Sequence, residues 1–325
     1  MPVIVERLLN FSSAMPGVLS LGLIWGIMAI GLYITYKILN LSDLTVDGSF
    51  CTGGAVCIVM IAMGQPAWLA MVCAFLAGML AGAVTGFLHT VCKIPAILAG
   101  ILTQLALWTV NMILMGLQSG ELISTLTIPA RNSELLVSAM YLSKALNGSK
   151  PIYLYPPIMV GIFTVVIIAA LYWFFGTERG ASIRATGANE HMARAQGINT
   201  NANKMIGLMI ANGLVAVSGA LFAQYNGNAE INMGRGAIVI GLAAIIIGDV
   251  IFGKLFKNFA FKLLAVSFGA IIYYIVIQAV LTLLKVDSQY LKLMSAVIVA
   301  IFLAVSNLGG SHPKKHKKEV PVCSK

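Results

Sequence analysis

Residues 158–175 read IMVGIFTVVIIAALYWFF, and residues 263–284 read LLAVSFGAIIYYIVIQAVLTLL. Each stretch is almost uniformly apolar over about 20 residues, the length at which a helix crosses the hydrocarbon core of a bilayer. The strands of a membrane barrel would instead alternate apolar and polar side chains. Because lipid offers no hydrogen-bond partners, the backbone of such stretches must bond to itself. The two stretches therefore predict an all-α membrane protein.

The composition supports this prediction. Apolar residues make up 59% of the chain and charged residues only 10%, whereas soluble domains carry about 25% charged residues. The net charge of +10 is concentrated beside the apolar stretches, at 179–204, at 254–262 and in the C-terminal tail, as in cytoplasmic loops. No aromatic-plus-basic module for nucleic acid is present, and the cysteines lack metal-ligand spacing. We therefore expect a lipid environment, no nucleic-acid partner and no metal site.

Hydropathy divides the chain into spans. They lie near 16–36, 49–63, 66–90, 96–118, 155–175, 205–224, 236–252, 262–284 and 291–308. Residues 2–15 add an interfacial helix or a tenth crossing. The prediction is thus a polytopic protein of about 9–10 transmembrane helices, with a membrane domain over 1–310 and a basic cytoplasmic tail over 311–325.

Two of the spans are short, and they resemble each other. Residues 41–55 (LSDLTVDGSFCTGGA) can be laid over 228–242 (NAEINMGRGAIVIGL), which places Asp43 opposite Glu230. If the tail is cytoplasmic, the two short spans run in opposite directions. Such a plan, here with halves of about 16–175 and 205–308, is the inverted repeat of many transporters, and paired glycine-interrupted spans mark the translocation region. The candidates for the pathway or its gate are Asp43, Thr45, Asp47, Glu230 and Asn232.

The polar residues of the spans allow two interpretations each. Asp43 and Asp47 either cap the short helix that follows them or line the pathway. The side chains of Gln104, Asn111, Asn212 and Gln224 either hydrogen-bond between helices or face the pore. Asp249 fits an ion pair or an interfacial position near Lys254. Glycines at 78, 82 and 86 share one helical face, which predicts close helix packing.

The most polar connection is the segment 176–204, GTERGASIRATGANEHMARAQGINTNANK. Glu190–Gly197 is predicted to form a short helix, with Asn189 as its N-cap and Gly197 as its stop. A helix this short cannot bury itself, so it either docks in a groove of another protein or is a solvated connection.

A family resemblance favours docking. RATGANEHMARAQGIN at 184–199, with the helix that follows, resembles the cytoplasmic coupling loop of ABC-importer permeases related to branched-chain amino acid and ribose permeases. ILNLSDLTVDGSFCTGGAV at 38–56 and KIPAILAGILTQLALWTVNMILMG at 93–116 resemble a narrower group that transports tryptophan, tyrosine or other amino acids. The resemblance runs from about residue 21 to 308 and implies an architecture like that of type II ABC importers.

The resemblance also implies how the chain works. The coupling segment would dock on an ABC ATPase subunit through Gly187, Asn189, Glu190, Ala193, Arg194 and Gly197. His191 and Met192 depart from the family pattern. Because the chain has no Walker A motif, it is not expected to be an enzyme or to bind a cofactor, and ATP and Mg²⁺ would bind to the ATPase.

The implied setting is the bacterial cytoplasmic (inner) membrane. The further partners are an extracytoplasmic substrate-binding lipoprotein and a second permease copy in a homodimer. Two other functions remain open at this point: a secondary transporter driven by an ion gradient, and a scaffold without transport of its own.

Overall fold

The computed structural model describes residues 2–117, 120–128, 135–138, 155–253 and 258–284, with a few further positions between 293 and 304. The helices are α1 (Pro2–Tyr33), α2 (Val46–Ala62), α3 (Ala67–Thr90), α4 (Ala96–Met115), α5 (Pro156–Gly176), α6 (Glu178–Ala188), α7 (Glu190–Ala195), α8 (Thr200–Asn226), α9 (Ala237–Phe252) and α10 (Phe259–Leu284). A π-helical segment, Ile34–Ile38, continues α1. Strand β1 (Thr125–Thr127) pairs antiparallel with β2 (Asn228–Glu230).

Helix lengths confirm an all-α polytopic membrane protein. Six helices in the described part are long and apolar enough to cross a bilayer: α1, α3, α4, α5, α8 and α10. Helices α2 and α9 have 17 and 16 residues, about 25 Å each and short of the roughly 30 Å of hydrocarbon. They occupy the positions of the two short predicted spans.

The prediction for the first residues of the chain is wrong, and those for the last residues concern positions that the structure hardly describes. Residues 2–15 are the first part of α1, so they form neither a separate interfacial helix nor a crossing of their own. The predicted span at 291–308 lies largely outside the described residues, and the basic tail at 311–325 lies wholly outside them.

Helix α8 is the centre of the bundle, packed against α1, α2 and α3. The predicted glycine face of α3 is turned toward it. A methyl group added to Gly78 would meet the α8 backbone at Asn212 and Gly213, and one added to Gly82 would meet Leu208. Because lipid supplies no hydrophobic drive for helices to associate, close backbone approach is what holds such helices together. The predicted packing role of the glycine row is confirmed.

Helices α2 and α8 approach each other even more closely. A methyl group on Gly53 would collide with the carbonyl oxygen of Ala216, and one on Gly219 would collide with that of Phe50. Glycine on each side of the contact lets the short helix α2 lie directly on the backbone of α8.

Candidate functional site

The chain is irregular where it enters α2, and a buried carboxylate organises this entry. Asp43 Oδ1 accepts a 2.9 Å hydrogen bond from the Thr45 amide, and Oδ2 accepts a 2.7 Å bond from the side-chain amide of Asn212. The Asn212 oxygen in turn accepts a 2.7 Å bond from the Ser49 hydroxyl. Since Asn212 lies near the middle of α8, the start of α2 is fixed at middle depth in the bundle.

Thr45 belongs to a second buried polar chain. Its hydroxyl lies 2.7 Å from that of Thr85 on α3, which donates a 2.9 Å bond to the Thr103 hydroxyl on α4. All three side chains are buried. The structure thus shows Thr45 in a contact that joins α2, α3 and α4.

Asp47 caps a helix, but not its own. Its carboxylate oxygens accept 3.1 Å hydrogen bonds from the backbone amides of Gly236 and Ile238, at the start of α9. The N-cap residue of α2 itself, Thr45, makes no side-chain capping bond. The capping interpretation was therefore right about the role of Asp47 and wrong about the helix. A carboxylate here meets the positive end of the α9 dipole and its unpaired amides.

The N-termini of the two short helices consequently meet inside the bundle. Residues 228–236 run along α2, with the Cys51 thiol 3.5 Å from the Glu230 carbonyl and Gly234 packed against the Asp47 carbonyl. Helix α9 begins only after this polar segment has reached the level of Asp47. Broken helices whose ends meet at middle depth are the arrangement in which transporters hold solutes.

A cavity of about 230 Å³ lies beside this meeting point. It is lined by Asp47, Gly48, Cys51, Gln104, Leu105, Trp108, Asn111, Ile231 and Arg235. A larger cavity of about 530 Å³ between α3 and α5 is lined almost entirely by apolar side chains. Only the first of these two combines charged and amide groups with an aromatic wall.

The four side-chain amides predicted to bond between helices or to face the pore divide into two pairs, one for each role. Gln104 and Asn111 line the polar cavity. Asn212 hydrogen-bonds between helices, and so does Gln224, which accepts a 3.1 Å bond from the Leu136 amide and donates one of 3.2 Å to the Cys57 thiol.

The remaining pathway candidates lie apart from Asp43. Glu230 and Asn232 are exposed, and Glu230 lines a separate opening of about 410 Å³ with Phe222, Asn226, Asn228 and Met233. The aligned residues Asp43 and Glu230 thus occupy different environments, one buried and one exposed.

The polar connection 176–204 contains two helices rather than one. Helix α7 is the predicted one, and the side chain of Asn189 accepts a 3.1 Å hydrogen bond from the Met192 amide, as expected of its N-cap. Gly197 follows in the left-handed region at φ +81°, where glycine is favoured. Helix α6 was missed, although Thr177 caps it by accepting a bond from the Gly180 amide.

An ion pair attaches α7 to α8. Glu190 Oε2 lies 2.7 Å from Lys204 Nζ, and Oε1 lies 2.9 Å from Arg194 Nη2. The hydrogen bond from Lys204 lowers the pKa of Glu190 below its ordinary value, with Arg194 adding to the effect. The carboxylate is therefore charged at neutral pH, and it holds α7 against the first turns of α8.

Two small residues of the connection are closely packed. Ala193 of α7 is buried, and a methyl group on Gly187 of α6 would collide with the Ile38 carbonyl oxygen. Five of the six predicted coupling residues lie in α7 or at its ends, and Gly187 lies in α6. His191 and Met192 are exposed, Met192 by 61%.

Asp249 forms an ion pair, one of the two environments predicted for it. Its partner is Lys37 at 2.8 Å, which follows α1 in the π-helical segment. The partner suggested by the sequence, Lys254, lies outside the described residues. Within the described ranges, no group of three or more His, Cys, Asp or Glu side chains is placed to hold a metal ion.

Comparison with known proteins decides the family. Residues 14–306 match the family described as branched-chain amino acid transport system / permease component. The chain belongs to this family of permeases. This confirms the resemblance found in the sequence, and it makes the chain a transport subunit rather than an enzyme. With its apolar helices, the permease is a multi-pass protein of the inner membrane.

Individual permeases are similar over most of their length. A tyrosine transport system permease protein of Clostridioides difficile (strain R20291) is 35% identical, covering 95% of this chain and 97% of the relative. A ribose import permease protein of Escherichia coli (strain K12) is 26% identical, covering 86% and 81%. An autoinducer 2 import system permease protein of Yersinia pseudotuberculosis (serotype O:3, strain YPIII) is 31% identical, covering 63% and 54%. No solved structure matches the permease.

Proposed function

We propose that this chain is the membrane-spanning subunit of an ATP-driven importer for a small solute, an amino acid or related molecule. The observation that carries the proposal is helix α7. It is held by buried and charged contacts on one side, and it presents Met192 and His191 on the other. A docking helix needs both a firm base and an exposed face.

Movement of α7 has a route into the bundle. Glu190 bonds to Lys204 on α8, and Thr186 on α6 accepts a 2.9 Å bond from the side-chain amide of Asn203, also on α8. Farther along α8, Asn212 holds Asp43 at the entry to α2. A push on α7 would thus displace α8 and, with it, the short helices at the polar cavity. Alternating access would follow from two arrangements of these helices.

The partners follow from the family. An ABC ATPase, binding ATP and Mg²⁺, would dock on α7 and supply the energy. An extracytoplasmic binding protein would deliver the solute, and a second copy of this chain would complete the pore. Relatives described as permeases for tyrosine, ribose and autoinducer 2 support a small solute, and the tyrosine permease, which covers nearly the whole chain, favours an amino acid.

The test is a complex reconstituted in liposomes with a candidate ATPase and binding protein from the same genome. Met192→Glu places a charge on the exposed face of α7, and Val91→Glu is the matched control on a different connection, at a similarly exposed apolar residue. We expect Met192→Glu to lose the co-purifying ATPase and solute uptake, and Val91→Glu to keep both. Normal ATPase binding and uptake by Met192→Glu would contradict the docking role.

The buried Asp43 and the half-buried Asp47, near the short helices, are the observation that favours a second function, a secondary transporter driven by an ion gradient. Their engagement in helix caps and interhelical bonds supports a structural role instead. Uptake that persists without any ATPase and collapses with an ionophore would favour the secondary transporter. A complete complex that moves no solute would favour a scaffold.

A further inference from the structure

The polar cavity is lined by a buried amide that lacks a strong hydrogen-bond partner. Asn111 is 1% exposed, and its oxygen and nitrogen form no hydrogen bond of ordinary geometry with the described residues. The Cys51 thiol lies close enough for a weak hydrogen bond to this amide. Buried side-chain amides are normally satisfied, so an unsatisfied one needs an explanation. Since Asn111 lines the cavity, a turn of its buried amide toward the cavity would let a bound solute provide a strong partner.

Two opposite charges line the same cavity. Asp47 is fixed by its two bonds to the start of α9, and its carboxylate still has lone pairs to offer. Arg235 is exposed and forms no ion pair within the described part of the chain. A guanidinium binds a carboxylate through paired hydrogen bonds, and a carboxylate binds an ammonium group.

Apolar surface completes the lining. Trp108, which is 46% exposed, and Leu105 add apolar surface to the lining. At about 230 Å³ the cavity is below the range of about 300–1,000 Å³ that holds drug-sized ligands, so it suits a smaller molecule.

We propose that this cavity is the solute-contact site of the permease and that it takes a zwitterion of the α-amino acid type. Arg235 binds the carboxylate, Asp47 the ammonium group, and Asn111 with Gln104 the remaining hydrogen-bonding atoms. Trp108 contacts the apolar part of the solute. A neutral sugar leaves both charges unpaired and is rejected for that reason. The proposal rests on the proposed import function and names the solute class for it.

The test measures binding to the chain itself, without ATP. Leu105→Cys puts a thiol on the cavity wall, and Leu80→Cys is the matched control, an equally exposed leucine on α3. Both are made with the exposed or half-buried Cys73 and Cys92 and the tail residue Cys323 changed to serine. The rate of modification by a maleimide in detergent is compared in buffer, in D-ribose and in a pool of the standard amino acids from which cysteine, whose thiol would consume the maleimide, is left out.

We expect the amino-acid pool, and not D-ribose, to slow labelling of Leu105→Cys, with no effect on Leu80→Cys. Adding Arg235→Gln or Asn111→Leu should raise the amino-acid concentration needed for protection about tenfold or more, the loss of one hydrogen bond to a charged group. Arg235→Lys should retain part of the protection. An unchanged midpoint of thermal unfolding in detergent shows that each variant is folded.

No protection by the pool, or equal protection by D-ribose, would overturn the inference. The import function would stand if reconstituted uptake still required the ATPase. If uptake by the unaltered complex were absent while protection persisted, the proposed function would fail and the binding site would not.

Discussion

The side chains of Asp43 and Asn212 are joined by a 2.7 Å hydrogen bond although 169 positions separate them in the chain. Both residues are buried. The bond ties the irregular entry to α2 to the middle of α8, and it gives a carboxylate inside the membrane a charge-assisted partner.

Asn212→Leu should destabilise the protein strongly, by about 3 kcal/mol, because it leaves the buried Asp43 carboxylate without its side-chain partner. The Ser49 hydroxyl loses its acceptor as well. The midpoint of thermal unfolding in detergent measures the effect. Gln65→Leu, the same kind of change at an exposed position, is the control and should leave the midpoint unchanged. Equal midpoints for the two variants would show that the bond contributes little.

Gly53→Ala should destabilise the protein by about 2 kcal/mol or more, because its methyl group would collide with the Ala216 carbonyl on α8. Gly161→Ala is the matched change in α5, where the nearest atom to the added methyl lies 4.0 Å away. It should be neutral or stabilising by up to about 1 kcal/mol, since alanine favours helix. Thermal unfolding of the two variants compares them directly, and a stable Gly53→Ala protein would contradict the close approach of α2 and α8.

Asp47→Ala should lower stability by about 1 kcal/mol, because α9 loses both the side-chain cap and the negative charge at its N-terminus. Asp47→Asn keeps an acceptor oxygen and should lose less. The midpoint of thermal unfolding should therefore be highest for the wild type, lower for Asp47→Asn and lowest for Asp47→Ala. If both variants had the same midpoint as the wild type, the cap on α9 would not contribute to stability.

Glu190→Gln should loosen α7 without unfolding the bundle, at a cost of no more than about 1 kcal/mol for so accessible an ion pair. Amide hydrogen exchange across 190–197 at pH 7 should be faster than in the wild type. Glu178→Gln, in the exposed first turn of α6, is the control and should leave exchange at α7 unchanged.

The effect of Glu190→Gln on amide exchange in α7 should depend on pH. Pairing with Lys204 lowers the pKa of Glu190, so its contribution is fully present above the ordinary value of 4.5 and is lost as the pH falls through the lowered pKa. The difference between wild type and Glu190→Gln should therefore disappear in strong acid and persist at neutral pH. A difference that vanished at pH 7 would contradict the ion pair.

The sequence predicted the features that depend on local chemistry. Runs of apolar residues located the spans, and the polar, glycine-containing stretches located the short helices. Asn189 and Gly197 predicted α7, because an N-cap and a left-handed stop are local signals. The cap of α6 at Thr177 is also a local signal, although the sequence prediction contained only one short helix here.

The site depended on contacts between distant segments, which spacing does not reveal. Asp47 stands in the first turn of α2, and nothing nearby in the sequence indicates that it caps α9. Arg235 was missed as a cavity residue because a single arginine before an apolar span reads as an interfacial charge. Likewise, the partner of Asp249 is Lys37, more than 200 residues away.

The side of the membrane on which α7 lies is the most direct test of its docking role. Met192→Cys, in a chain whose Cys73, Cys92 and Cys323 are serine, is exposed to a membrane-impermeant maleimide in intact cells and in inside-out vesicles. Gln65→Cys, in the connection between α2 and α3, reports the opposite side. We expect Met192→Cys to be labelled only in inside-out vesicles and Gln65→Cys only in intact cells. Labelling of Met192→Cys in intact cells would place α7 outside, where no ATPase can dock.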